Sequence, residues 1–327
     1  MSELIPTFDW QRVVVAPWTT EFATFGWIML MGFLVTAACG LVGNYLLLRR
    51  LALMGDAVSH SVLPGLVISF LFSQSRGTLP MFTGALIAGI VATLVIELIH
   101  TRSRVKQDAA IGIAFSTLFA FGVVLTALYA GQVDVDAECV LYGEIAFVPL
   151  EPPVTLGAWT LGPAPVVRMG GVLLAVVVLV TLFYKELLVT AFDAALARSL
   201  GFNPTVAHFA LMGALSVVVV SAFESVGAIL VVAMLILPGA TGSLLTQRLP
   251  RLHGLAVVHA AASAVLGTHL GIWLDCSIGA AMVVAGAALF AAAWVFSPRE
   301  GLLVQLLRRW RPSGAAEFGE SVRSASR

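Results

Sequence analysis

The sequence predicts an all-α polytopic membrane protein of eight or nine spanning helices, and three observations carry that prediction. Of its 327 residues, 59% are hydrophobic and only 11% charged, whereas a soluble globular domain carries roughly 25% charged residues. Apolar runs of spanning length or slightly less recur from one end of the chain to the other. Basic residues gather on alternate connections between those runs, as the positive-inside rule requires of a chain threaded back and forth.

Taken in order, the predicted spans are 22–48, 53–72, 80–100, 109–130, 169–184, 205–222, 225–245, 254–274 and 277–296. The second is short and interrupted by Pro64-Gly65, and the sixth and seventh are separated only by a polar patch around Glu224. Residues 1–21 are mixed and polar, without the basic segment and apolar run of a cleaved signal peptide, so they are expected to form an N-terminal outer arm. Arg49, Arg50, Arg102, Arg104, Lys106, Lys185, Arg198, Arg248, Arg251 and the basic residues from Arg299 onward all fall on one set of connections. The opposite set carries only Arg76 and Arg168, with Arg12 in the arm. Nine spans, an outer N-terminus and a cytoplasmic C-terminus satisfy every connection. Outer connections hold Asp134, Asp136, Glu138, Glu144, Glu151 and Asp275, an acidic face that raises the local concentration of cations.

The longest outer connection, 131–168, is rich in Pro and Gly and cannot span, and 140–147 within it reads as a short re-entrant element. Residues 298–327 divide into a basic amphipathic stretch on the inner leaflet and a polar tail expected to be disordered. Three cysteines, Cys39, Cys139 and Cys276, are too widely spaced for a zinc knuckle or redox motif; Cys139 and Cys276 both fall outside, where a disulfide is open to them.

The most informative stretch is Gly55-Asp56-Ala57-Val58-Ser59-His60-Ser61-Val62-Leu63-Pro64-Gly65. Asp56 and His60 are four residues apart, which on a helix places them about 40° apart around the axis and ~6 Å along it, on one face. A carboxylate beside an imidazole suits Mn²⁺, Fe²⁺ or Zn²⁺ without choosing among them. Pro64 has no N–H to offer the His60 carbonyl, so that oxygen seeks water, a side chain or a cation. Such a group is tolerated at membrane depth only inside protein or beside a wet cavity. A buried Asp–His bridge between helices is the plainer reading, but ionisable groups there cost ~2.5–3.5 kcal/mol on insertion scales and mark substrate paths. Asp56 and His60 are therefore candidate metal ligands, with Ser59, Pro64 and Glu224 as further candidates for the pathway or its gate. Glu224 reads equally well as a boundary residue in interfacial water. Glu97 is placed to pair with Arg102 or Arg104. His259 and His269, ten residues apart on one run, fit hydrogen bonds to neighbouring helices better than a metal relay. His208 and His253 read as ordinary residues near cytoplasmic ends.

A second informative stretch follows the fifth span. Asp193 reads as an N-cap, Ala194 to Leu200 as a short helix, and Gly201 as its stop, with Asn203-Pro204 preventing continuation. The chain has only two lysines, Lys106 and Lys185, and lacks the G-x-x-x-x-G-K-[ST] phosphate loop, so any ATPase must be a separate polypeptide.

Three stretches together resemble the ABC-3 family, the permease subunits of ABC importers for manganese, zinc or iron. They are residues 55–65, the run Phe192-Asp193-Ala194-Ala195-Leu196-Ala197-Arg198-Ser199-Leu200-Gly201, and Val226-Gly227-Ala228-Ile229-Leu230 continuing through Leu237-Pro238-Gly239-Ala240-Thr241. Asp108-Ala109-Ala110-Ile111-Gly112-Ile113 also matches, and the resemblance runs from Phe22 to Phe296. Gly239 and Gly242 stand where the family has alanine, and Glu144 where a small amide is expected. The resemblance implies a type II importer-like permease domain over 22–297, in a prokaryotic plasma (inner) membrane. It implies two permease copies around a central pathway, cytoplasmic ATP-binding subunits and an extracytoplasmic metal-binding protein, in addition to membrane lipid; no nucleic acid is expected. It further implies that Asp56 and His60 hold the transported metal, with no permanently bound cofactor. By the same resemblance the helix after Asp193, with Phe192, Ala195 and Gly201, would be the coupling helix seated on the ATPase. Two other classes remain open on the residues alone. An ATP-independent secondary divalent-cation transporter would use Asp56, His60 and Glu224 as a proton-coupled path, but no internal repeat is found. An intramembrane metalloprotease needs H-E-x-x-H or a second ligand set, and neither spacing occurs.

Overall fold

The structure, a computed structural model, describes residues 6–75, 78–129, 144–157, 159–298 and 301–309. Its architecture is a helical bundle. Four helices form the first half: α1 (Phe22–Leu48), α2 (Met54–Ser73), α3 (Thr78–Arg102) and α4 (Gln107–Tyr129). A 3₁₀ turn (Ile145–Leu150) and a two-stranded antiparallel hairpin, β1 (Pro153–Leu156) and β2 (Trp159–Pro163), lead to α5 (Ala164–Leu182). The hairpin is the one departure from an all-helical chain among the described residues. Two short helices follow, α6 (Tyr184–Phe192) and α7 (Ala194–Ser199). The second half is α8 (Pro204–Val226), α9 (Ala228–Leu245), α10 (Leu249–Leu274) and α11 (Ile278–Phe296), followed by a short α12 (Leu302–Arg309).

Among the described residues, eight of these helices are long and apolar enough to cross a membrane, and α9 contributes a shorter apolar run, Leu230–Leu245. The hydrophobic pattern explains their arrangement. Helix α1 is apolar all round and is the buried axis, packed by α5, α9 and α10. Helix α2 lies between α3 and α4 and also meets α8 and α9. Helices α3 and α4 are exposed along much of their apolar surface, as lipid-facing helices should be.

Contacts between distant residues define two ends. At one, Trp18, in a 3₁₀ turn just before α1, meets His269 near the end of α10, and Arg12 lies 3.6 Å from Asp275. At the other, Asn44 and Tyr45 near the end of α1 meet His253 at the start of α10, and Arg49 meets Thr190. The second end is the basic one.

Several boundaries differ from the sequence-based expectation. The fifth and eighth spans begin at Ala164 and Leu249 rather than at 169 and 254, because Pro165 and Pro250 sit in their first turns. Proline is at home there, since its missing N–H would be an orphan donor anyway. The break between the sixth and seventh spans is at Gly227, with φ +84°, so Glu224 and Ser225 belong to α8. The stretch 140–143, part of the expected re-entrant element, lies outside the described residues; 145–150 is the 3₁₀ turn. Cys139, the Glu224 side chain and the tail from 310 onward also lie outside them.

Candidate metal pathway site

Helix α2 positions the central pair. It starts after a tight reversal in which Leu51 N–H reaches Leu46 C=O at 2.8 Å and Arg50 takes φ +60°. That is a Schellman-type ending for α1. Asp56 then falls in the first turn of α2 and His60 one turn later. Their side chains converge, Asp56 Oδ1 to His60 Nε2 at 3.3 Å, with 39% and 27% of each exposed. The other side of the pair is walled by α4. The Phe115 ring centroid is 6.0 Å from that of His60, and Phe119 meets the imidazole edge-on at 5.7 Å. An i, i+4 aromatic pair on α4 was the available signal for this wall.

Helix α2 continues through Pro64 without ending, and the ring packs on α4 at Gly122, where a Cβ would come within 2.9 Å of the proline Cδ. Pro64 is thus a packing residue as well as the cause of a freed carbonyl. Beyond it, Gly65 abuts the backbone carbonyl of Gly84 on α3 so closely that neither position has room for a side chain. Above this crossing lies a mostly apolar cleft of about 340 Å³ lined by Pro64, Gly65, Ile68, Phe72, Ile87 and Phe121, with Ser61 and Thr83.

The structure does not bring every sequence candidate into the site. Ser59 is 5% exposed, and its Oγ has no hydrogen-bond partner, so it is turned into the bundle rather than toward the pair. Glu224 is near the end of α8, remote along the chain from α2, and its side chain lies outside the described residues. Among the described residues no third His, Cys, Asp or Glu joins Asp56 and His60. One copy therefore offers a carboxylate and an imidazole, which is half of an ordinary transition-metal coordination shell.

Several other ionisable residues have partners elsewhere in the bundle. Glu97 pairs with His208 across α3 and α8 at 3.3 Å, not with Arg102 or Arg104, because α3 and α8 pack directly. Asn44 Nδ2 donates to His253 Nδ1 at 2.8 Å, which leaves His253 Nε2–H to face Tyr45 Oη at 3.3 Å. His269 Nδ1 donates to Val13 C=O at 2.7 Å, and its Nε2 accepts from Trp18 Nε1–H at 3.1 Å. Both its nitrogens are committed to the N-terminal segment rather than to a neighbouring spanning helix, and the hydrogen bonds expected of His259 are not found among the described residues. His259 is 4% exposed with both ring nitrogens unpartnered.

At the basic end, the expected short helix is present as α7. Asp193 Oδ1 accepts from Ala195 N–H at 2.8 Å and Leu196 N–H at 3.0 Å. Those two bonds, Leu196 first, hold its carboxyl below the usual range. Gly201, at φ +85°, ends the helix with Phe202 N–H on Ala197 C=O at 2.9 Å. Ala197 is buried, whereas Phe192, Leu196 and Leu200 are 70%, 49% and 57% exposed and Ala195 is exposed beside them. Phe192, Leu196 and Leu200 thus form an exposed apolar cluster on a short capped helix.

A bundle of this order, with a convergent carboxylate–imidazole pair on one helix and an exposed capped helix at the basic end, is the architecture of a polytopic membrane protein. The chain belongs to the ABC 3 transport family, whose model matches residues 21–297. It is 42% identical over 280 residues to the zinc transport system membrane protein TroD of Treponema pallidum, covering 86% of this chain and 76% of that one. Identity is also 42%, over 282 residues, to the manganese transport system membrane protein MntD of Bacillus subtilis, covering 86% and 95%. Its fold matches PsaBC from Streptococcus pneumoniae, solved in complex with Fab. That match has a TM-score of 0.72 and 31% identity, over 90% of this chain and 98% of the solved one.

Proposed function

We propose that this chain is the membrane permease subunit of an ATP-driven importer of a divalent transition metal, Mn²⁺ or Zn²⁺, with Fe²⁺ chemically admissible. The observation that carries the reading is the convergent, part-open Asp56–His60 pair with no third ligand in its own chain among the described residues. Two copies facing across an axis supply two carboxylates and two imidazoles, enough to replace the hydration shell of one ion. Each His60 must present an unprotonated ring nitrogen to the ion, and each Asp56 a carboxylate. Phe115 and Phe119 exclude water from one side of the imidazole.

The membrane is the plasma membrane of a prokaryote, with the basic end cytoplasmic and the N-terminal arm outside; the distribution of Arg and Lys supports this orientation. Helix α7, through Phe192, Leu196 and Leu200, seats on a separate cytoplasmic ATPase. The acidic end, with Glu144, Glu151 and Asp275, receives an external metal-binding protein. The permease domain is 22–297, flanked by the arm and by the basic C-terminal segment.

Uptake of radioactive Mn²⁺, Zn²⁺ and Fe²⁺ by cells expressing the chain with and without its ATPase tests the reading, alongside Asp56→Ala and His60→Ala. Uptake that needs the ATPase, Asp56 and His60 is expected. Uptake independent of the ATPase would replace this reading with the secondary transporter, and normal uptake by either variant would remove the site.

A further inference from the structure

Between the exposed helix α7 and the Asp56–His60 pair lie stiff joints bridged, among the described residues, by one side-chain hydrogen bond from α1 to α6. Arg49 caps the end of α1, and the six residues from Arg49 to Met54 are closed by backbone hydrogen bonds. Arg50 N–H reaches Leu47 C=O at 3.1 Å, Leu51 N–H reaches Leu46 C=O at 2.8 Å, and Met54 N–H reaches Leu51 C=O at 3.0 Å. Leu51 is 4% exposed and anchors the reversal in the core. Arg49 and Asp56 therefore belong to one rigid body.

The other side is equally stiff. Helix α6 ends at Phe192, Asp193 N–H bonds back to Val189 C=O at 2.9 Å, and Asp193 C=O accepts from Ala197 N–H at 3.0 Å. With the side-chain cap in addition, α6 and α7 have no free linker between them. Thr190 sits on α6 two residues before its end, and its hydroxyl is fixed by donating to Glu186 C=O at 2.7 Å.

Across the gap between these bodies, Arg49 Nη2 donates to Thr190 Oγ1 at 2.8 Å. It is the side-chain hydrogen bond that joins α6 to the α1–α2 body among the described residues. Its chemistry is unusual for a purely structural bond. A guanidinium held with its Nε buried and without an acceptor spends its directed contact on a neutral hydroxyl. One turn back on the same helix, Glu186 Oε2 is also buried without a partner. The contact is therefore specific, charge-assisted and not saturated, properties suited to a joint that must be made and remade.

We propose that Arg49 and Thr190 are positioning residues for transport: their hydrogen bond transmits displacement of α7 to the body that carries Asp56 and His60. The proposal rests on the importer reading above. Neither residue touches the metal; each acts on it through α2.

The test uses the full complex of permease, ATPase and external binding protein reconstituted in liposomes, with Mn²⁺ and Zn²⁺ as probes. Thr190→Val keeps the shape of the side chain and removes the acceptor, Thr190→Ser restores the hydroxyl, and Asp56→Ala reports on the site itself. For Thr190→Val, metal transported per ATP hydrolysed is expected to fall about tenfold or more, the scale of losing a hydrogen bond to a charged group. Its basal ATP hydrolysis, complex assembly and equilibrium metal binding are expected to stay near wild type, and Thr190→Ser is expected to recover transport. Arg49→Lys, which keeps charge but loses the planar fork, is expected to behave like Thr190→Val. Wild-type stoichiometry in Thr190→Val overturns the proposal. So does a loss of transport, hydrolysis and assembly in equal measure, which is the signature of a merely structural bond. If Asp56→Ala loses transport while Thr190→Val does not, the importer reading stands and only this joint fails. Wild-type transport by Asp56→Ala overturns both.

Discussion

Replacing Gly65 by alanine places a methyl group where α2 and α3 touch backbone to backbone. The added Cβ would lie 2.5 Å from the Ala88 Cβ and closer still to the Gly84 carbonyl oxygen. Ordinary contact begins near 3.4 Å, so the helices must separate by about 1 Å, or α2 must rotate. Overpacking of this kind costs about 1–3 kcal/mol, which is roughly a 5- to 150-fold shift in the population of the native packing. Because His60 is only five residues from Gly65 on the same helix, the displacement reaches the Asp56–His60 pair. Sites of this type tolerate only ~0.5 Å of misplacement. Thermal unfolding of the purified permease and metal uptake at limiting concentration measure the two consequences. Both the midpoint and the apparent affinity are expected to fall. Gly84→Ala should do the same, since its Cβ would meet the Gly65 carbonyl and Ser69. The double variant should cost less than the sum, because one separation relieves both collisions. A Gly65→Ala permease with unchanged midpoint and uptake would refute the close crossing.

Three further outcomes follow from other contacts. Gly201→Ala forces a side chain onto φ +85° and should loosen α7 by about 1–2 kcal/mol; paired with charge reversal at Asp193, it should uncouple ATP hydrolysis from transport, read as transported metal per ATP. Because backbone N–H groups hold the Asp193 carboxyl below the usual range, the cap is complete above the unfolded Asp value and is lost only as pH falls through the depressed one; α7 amide protection in wild type should decline there, and Asp193→Asn, which keeps the acceptor without titrating, should not. His269→Ala removes two hydrogen bonds that hold 6–21 to α10, together worth about 2 kcal/mol, so limited proteolysis should cut the N-terminal segment roughly 30-fold faster while the rest of the bundle stays resistant.

How much of this was legible in the sequence depends on the range of the interaction. The first four spans, the Asp56–His60 face, and the Asp193 and Gly201 boundaries of α7 all depend on spacings of a few residues, and they appear as expected. Local chemistry also explains the misplaced boundaries: Pro165 and Pro250 resemble loop residues but act as first-turn residues, and the polar Glu224 stays within α8 while the backbone turns three residues later at Gly227. Helix α6, with nine residues, was too short and amphipathic to stand out from a connection. Partners chosen by packing were not legible. Glu97 has nearby arginines in sequence, yet the direct α3–α8 contact brings His208 instead. Likewise, nothing local tells Arg49 that Thr190, 141 residues away, will be its acceptor.

The incompleteness of the Asp56–His60 pair is itself informative about mechanism. A closed four-ligand cage within one chain would bind its ion as structural zinc sites do, with apparent energies of about 10–16 kcal/mol, and would release it too slowly for transport. In the proposed importer a shell divided between two chains would form only while the two faces approach, so its affinity would depend on the distance between copies. Each side chain is also 27–39% exposed in the single chain, which lets water replace a departing ligand and lowers the barrier to exchange. Moving such faces apart by an ångström or two would weaken all four proposed metal–ligand bonds together. Rigid attachment of Asp56 to the reversal at Arg49–Met54 makes α2 the body that such movement must displace. On the proposed reading, the same half-site that would leave an isolated chain a weak metal binder would let the paired one be opened by mechanical work.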